Sequence, residues 1–135
     1  MSALQSSCLW VPSDISAVPS ARREVVAIVR AWSLPLSQDT VETLELLTGE
    51  VIANAVTHTG KGCRVTVSWD GARVRLEAED EKAGPLAETV PAGTEEESGR
   101  GLWLVDCLAL AWGCHPSAMG GKTVWFEING RQPSH

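Results

Sequence analysis

The chain predicts one α+β domain, with two helices ahead of antiparallel hairpins and one further helix, so that a sheet is covered by helices on one face. Two observations carry this. Apolar residues recur at helical spacing up to Thr59-Gly60, and they then alternate with polar ones on both sides of Asp70-Gly71. The size fits the same conclusion, because 135 residues leave little room for a second domain beside 1–135. With 44% hydrophobic and 21% charged residues a normal core forms, and a wholly disordered chain is excluded.

The elements follow in order. Leu9 to Val11 reads as a short strand ended by Pro12. Ser16 is placed to cap a helix that accepts Pro19 in its first turn and runs to about Trp32. Its apolar stripe is Val18, Ala21, Val25, Ile28, Val29 and Trp32. After Leu34-Pro35, Ser37 caps a second helix, with Asp39 favourably placed in the first turn. Glycine at position 60 stops it. Val65, Val67 and Trp69, then Val74, Leu76 and Ala78, form the two arms of a hairpin with one buried face. Gly101 to Trp112 is apolar nearly all round and predicts a covered helix, ended by Gly113. Cys114 to Ser117 and Thr123 to Ile128 make a second hairpin around Met119-Gly120-Gly121-Lys122.

Charge is concentrated in one segment. The chain carries a net charge of -6, yet Glu77 to Glu97 alone holds eight acidic residues against Lys82. The remainder is close to neutral. Residues 81–98 also contain Gly84, Pro85, Pro91 and Gly93 without apolar period, and read as a long mobile loop. The acidic balance argues against general affinity for a nucleic-acid backbone. No apolar run reaches the ~20 residues a bilayer requires. The N-terminus lacks a signal-peptide pattern, so a cytoplasmic protein with no membrane contact is expected. Cys8, Cys63, Cys107 and Cys114 are widely spaced and form no metal-ligand cluster with His58, His115 or His135. They read as reduced, mostly buried thiols.

Three places could carry chemistry. Glu50, Asn54 and His58 stand four residues apart and climb one side of the second helix, with Thr57 beside them. A carboxamide oxygen suits a hard cation such as Mg²⁺, and a carboxylate one turn away suits a base. Ser98-Gly99-Arg100-Gly101-Leu102 precedes a helix, where bare backbone N–H groups favour an anion. Asp80 shares the parity of Val74, Leu76 and Ala78, which aims a carboxylate at the core face, where it needs a donor. Taken singly, each has a plainer reading: a solvated helix face, a loop end, a carboxylate satisfied by backbone.

Their order is more specific. Gly49-Glu50-Val51-Ile52-Ala53-Asn54-Ala55-Val56-Thr57-His58 resembles the N-box of the histidine-kinase-like ATPases (the GHKL superfamily). Asp80 resembles the adenine-binding aspartate, and Ser98 to Leu102 the glycine box after the lid. Gly121 to Glu127 is similar to the last strand of the small anti-sigma-factor serine/threonine kinases. The resemblance runs from Val18 to Ile128. It departs where Asp-x-Gly is usual, since Asp80 is followed by Glu81-Lys82, and where Glu95-Glu96-Glu97 crowd the phosphate motif.

The resemblance implies a Bergerat-type two-layer α/β sandwich with a mixed, mostly antiparallel sheet and a mobile ATP lid over 81–98. It makes Glu50 the catalytic base and Asn54 the Mg²⁺ ligand. Asp80 accepts from the adenine amino group with Thr123 in support, and Gly99, Arg100, Gly101 and Leu102 line the phosphates. It further implies a kinase that binds a sigma factor or similar transcription regulator and is countered by a small antagonist protein with a phosphorylatable serine. It leaves room for a homodimer. The alternatives are a partner-switch module that binds ATP without turnover, and a detached histidine-kinase catalytic domain. The last is least favoured, because no phospho-acceptor helix hairpin precedes the fold.

Overall fold

The computed structural model describes residues 4–59, 61–80, 103–117 and 120–130. Strand β1 spans Gln5–Val11, and a 3-10 turn at Ile15–Ala17 leads into helix α1, Val18–Ala31. Helix α2 is Gln38–Thr59, β2 is Cys63–Trp69 and β3 is Arg73–Asp80. A short helix α3 covers residues 103–108, before β4, Ala111–Pro116, and β5, Lys122–Asn129. The strands form one sheet in the order β1-β2-β3-β5-β4, and every pairing between them is antiparallel. Helix α1 packs on α2, which lies across β3, β5 and β2. The expected α+β layering is therefore what forms, with an antiparallel rather than mixed sheet.

The core lies between α2 and the inner sheet face. Leu44, Leu47, Val51 and Ile52 on α2 are fully buried, as are Val65, Val67, Val74, Leu76 and Phe126 on the sheet. Each such side chain contributes about 1.5–3 kcal/mol on leaving water, which fixes α2 against rotation about its axis. That fixation holds the opposite side of α2, with Glu50 and Thr57, toward solvent. The outer sheet face is polar but internally paired. Arg75 bonds Glu77 and Glu127 at 2.8 and 2.9 Å and stacks 4.1 Å over the Trp125 ring.

Local signals explain most boundaries. The Ser37 hydroxyl accepts the Thr40 N–H at 3.0 Å, so Ser37 caps α2 as expected. The first helix differs: α1 has no side-chain cap, and Asp14, not Ser16, caps the 3-10 turn that leads into it. Its carboxylate accepts both the N–H and the hydroxyl of Ser16, which starts the 3-10 turn and leaves Pro19 in the first turn of α1. The first strand is longer than Leu9–Val11, because β2 offers a partner for every residue from Gln5.

The largest departure is at Gly101 to Trp112. Helix covers only 103–108 of its described residues, and Trp112 and Gly113 belong to β4. An apolar run does not by itself distinguish helix from buried strand, and here β5 supplies the ladder from Ala111 onward. Gly113 fits there because the Trp125 indole covers its Cα, where a side chain would collide. Nor is the helix covered on most sides. Val105 is buried, while Trp103 and Leu108 are exposed.

The β2–β3 turn is a two-residue loop, Gly71-Ala72, closed by Asp70 and Arg73. Gly71 has φ +100°, in the region where glycine costs least. The Asp70 carboxylate accepts the Arg73 N–H at 2.7 Å and the Ala72 N–H at 2.8 Å, and these two bonds hold its carboxyl below the usual value of 3.8. Asp70→Ala is expected to lower stability in urea unfolding by about 1 kcal/mol at neutral pH. A depressed folded-state value means stability that is present above 3.8 and lost as pH falls through it, so the difference between the two proteins should shrink in acid. Equal stability at neutral pH would contradict this role.

Candidate functional site

The site begins with a buried charge. Asp80 ends β3 on the inner face, only 2% exposed, in line with Val74, Leu76 and Ala78. Its Oδ1 accepts the backbone N–H of Lys122 at 3.0 Å, from the first residue of β5. This approach requires Gly121, because a Cβ there would overlap both Oδ1 and the backbone carbonyl of Asp80. A carboxylate kept so far from water needs such donors, and a further one on a ligand would be well matched to it.

The turn before β5 is pinned to the neighbouring residue of β3. The Ser117 N–H donates to the Gly121 carbonyl at 2.8 Å, and the Gly120 N–H to the Ser117 carbonyl at 3.1 Å. The Ser117 hydroxyl donates to Glu79, which also accepts from Arg64 at 3.0 Å. Those two hydrogen bonds, the Ser117 one foremost, hold the Glu79 carboxyl below its ordinary value. Glu79 on the outer face thus ties down the turn whose next residues wrap Asp80 on the inner one.

Cys63 is the second wall. It pairs directly with Asp80 across the β2–β3 ladder, shares its face, and is fully buried. Burial, and then the charge of Asp80, push its thiol up to about 12, so it stays neutral at physiological pH. The other three cysteines are exposed, against the expectation of mostly buried thiols. Cys8 and Cys114 lie on the two edge strands, and Cys107 faces outward on α3.

Glu50 and Asn54 sit one turn apart on α2, both partly exposed, with Thr57 exposed beyond them. These residues share a side of α2 from which its fully buried residues Leu44, Val51 and Ile52 point away. The side chain of His58 and residues 81–102, which include the expected lid, Gly99, Arg100, Gly101 and Leu102, lie outside the described residues.

Thr123 is placed differently from its expected role. It pairs with Glu79 on one side and His115 on the other. Strand alternation then puts its side chain on the face opposite Asp80, buried among outer-face neighbours. Support for Asp80 comes instead from the backbone of Lys122. Sequence reasoning also passed over Cys63 and Gly121, whose contribution is space rather than a functional group.

Among the described residues no three His, Cys, Asp or Glu side chains gather to hold an ion. Mg²⁺ commonly takes one or two protein oxygens together with substrate phosphates, and the Asn54 carboxamide can supply one. Among the described residues no helix is long and apolar enough to cross a membrane.

Residues 11–128 match the model of one known family, the histidine kinase-like ATPase domain. No curated protein matches the chain.

The Cys63 environment has a measurable consequence. A folded-state value raised from 9.0 to about 12 gives stability that is complete below pH 9 and lost as pH rises toward 12. Over that window the wild type should lose stability with rising pH more steeply than Cys63→Ser, in urea unfolding at each pH. Parallel pH profiles for the two proteins would contradict a thiol held beside a buried carboxylate.

Proposed function

Because the chain belongs to the histidine kinase-like ATPase domain family, we propose that it is an ATP-dependent serine/threonine kinase that switches a transcription partner in the manner of an anti-sigma factor. ATP use belongs to the family, whereas the protein acceptor and the partner are proposed. The observation that supports the reading is the placement of polar groups on α2 and on the sheet beneath it. Asn54 and Glu50 lie one turn apart and partly open to solvent, while Asp80 waits buried on the sheet face that α2 covers. Adenine is read in a dry place, and a protein hydroxyl can reach a wet one.

In this reading Asp80 accepts a hydrogen bond from the adenine amino group, and Asn54 holds Mg²⁺ through its carboxamide oxygen. Glu50 takes the proton of the incoming serine hydroxyl. The serine oxygen bonds to the γ-phosphorus as the bridging P–O bond breaks, and ADP leaves with that electron pair. Positioning and charge do most of the work in such transfers. The acceptor is a small antagonist protein, and the regulated partner is a sigma factor or a similar regulator.

A second reading, a module whose partner affinity depends on ATP occupancy alone, draws on the exposed apolar side chains of Trp103, Leu108 and Leu110. The two separate at Glu50. Glu50→Gln is expected to keep Mg²⁺-ATP affinity and to slow phosphoryl transfer to a candidate antagonist by ~10²-fold or more, measured with γ-labelled ATP. Asn54→Ala should reduce both affinity and transfer. Wild type that binds ATP yet labels no antagonist, with Glu50→Gln unchanged in partner binding, would favour the module.

A further inference from the structure

One row of residues crosses the end of the inner sheet face: Val11 on β1, Cys63 on β2, Asp80 on β3 and Lys122 at the start of β5. Val11, Cys63 and Asp80 are 1%, 0% and 2% exposed. On the β5 side the approach to Asp80 is occupied, because the Lys122 N–H and the bare Gly121 are already against Oδ1. On the β2 side its neighbour is the small side chain of Cys63, backed in turn by Val11. Directly opposed residues on one face of an antiparallel pair hold their Cβ atoms about 4.5–5.5 Å apart, which leaves the thiol bordering the carboxylate. An amine that meets Asp80 on its β2 side lies against that thiol.

We propose that Cys63 is a specificity-determining residue of the nucleotide site, a steric gate that bounds the edge of the purine carrying the exocyclic amine. The proposal rests on the reading of Asp80 as the adenine acceptor. Cys63 does not hold the nucleotide. It limits what the amine may carry, admitting N–H₂ and excluding an added alkyl group. A thiol suits such a gate because it is small and neutral and adds no second charge beside Asp80. Its polarity matters little to the gate, and its volume matters most.

The test exchanges one sulfur for one methyl. ATP and N6-methyl-ATP keep an N–H for Asp80 and differ by a single methyl group at the gated edge. Affinities of both for wild type, Cys63→Ala and Cys63→Ser are measured by calorimetry, with thermal unfolding to confirm that each variant is folded. Wild type should discriminate against N6-methyl-ATP, and Cys63→Ala should reduce that discrimination by about tenfold, within the range usual for one methyl group in a packed pocket. The near-isosteric Cys63→Ser should keep the wild-type ratio. An unchanged ratio in Cys63→Ala overturns the gate, and so does an equal shift in Cys63→Ser, which would point to loosened packing. Should Cys63→Ala fail to fold, Cys63→Val narrows the same edge and should weaken ATP about tenfold, and undiminished affinity overturns the proposal. A wild type that binds neither nucleotide is a different result: it removes the adenine reading itself, and the gate with it.

Discussion

The arrangement of this domain turns on one buried carboxylate. Asp80 sits at the end of β3 with almost no access to water, and the Lys122 N–H is the donor brought to its Oδ1 from β5. Leaving such a group unsatisfied costs several kcal/mol, enough to consume a large part of a small domain's stability. The approach of β5 is therefore not free to vary. Gly121 must lack a side chain, and the Ser117–Gly121 turn must close where Glu79 can hold it. Two adjacent residues of β3 fix this approach together, Glu79 from the outer face and Asp80 from the inner.

That constraint sits at one end of a rigid frame. The fully buried side chains of α2 fix its rotation, which sets the ridge of Glu50 and Asn54 apart from the core. Its other end has a different character. A small groove between the end of α1 and the start of α2, lined by Val29, Arg30, Ser33, Leu34, Leu36 and Val41, begins about 20 Å along the helix from Asn54. The outer sheet face, with its paired arginines and glutamates, contributes little binding energy of its own, since exposed ion pairs are worth about 0–1 kcal/mol. Asp80 at the end of β3 is instead the buried carboxylate on the inner face of the sheet on which α2 packs.

Much of this was legible in the residues, and the misses have physical causes. Strict alternation around Asp70 gave the hairpin and the inward parity of Asp80, and helical spacing gave the ridge on α2, because both periods survive without knowledge of tertiary contacts. Cys63 was not legible. A turn centred on Asp70-Gly71 would pair it with Ala78, whereas the observed Gly71-Ala72 loop pairs it with Asp80. One residue of turn position moves the partner by two and leaves the face unchanged, so the alternation gave no warning. Thr123 failed for another reason: its role came from the resemblance, whereas alternation with the buried Val124, Phe126 and Ile128 places it on the outer face, opposite Glu79. The run ending at Trp112 was misread because its apolar content satisfies helix and strand alike, and the unpaired edge of β5 made the choice.

The proposed pairing of Asp80 with the adenine amino group can be tested without any protein partner. Asp80→Asn preserves shape, and its amide oxygen can still receive the Lys122 N–H. The amide nitrogen would then face the adenine amine, donor against donor. Calorimetric titration with Mg²⁺-ATP should show affinity reduced by at least about tenfold, the scale of a lost charge-assisted hydrogen bond, in a variant that still unfolds cooperatively. A folded Asp80→Asn protein that binds ATP as tightly as wild type would contradict the account.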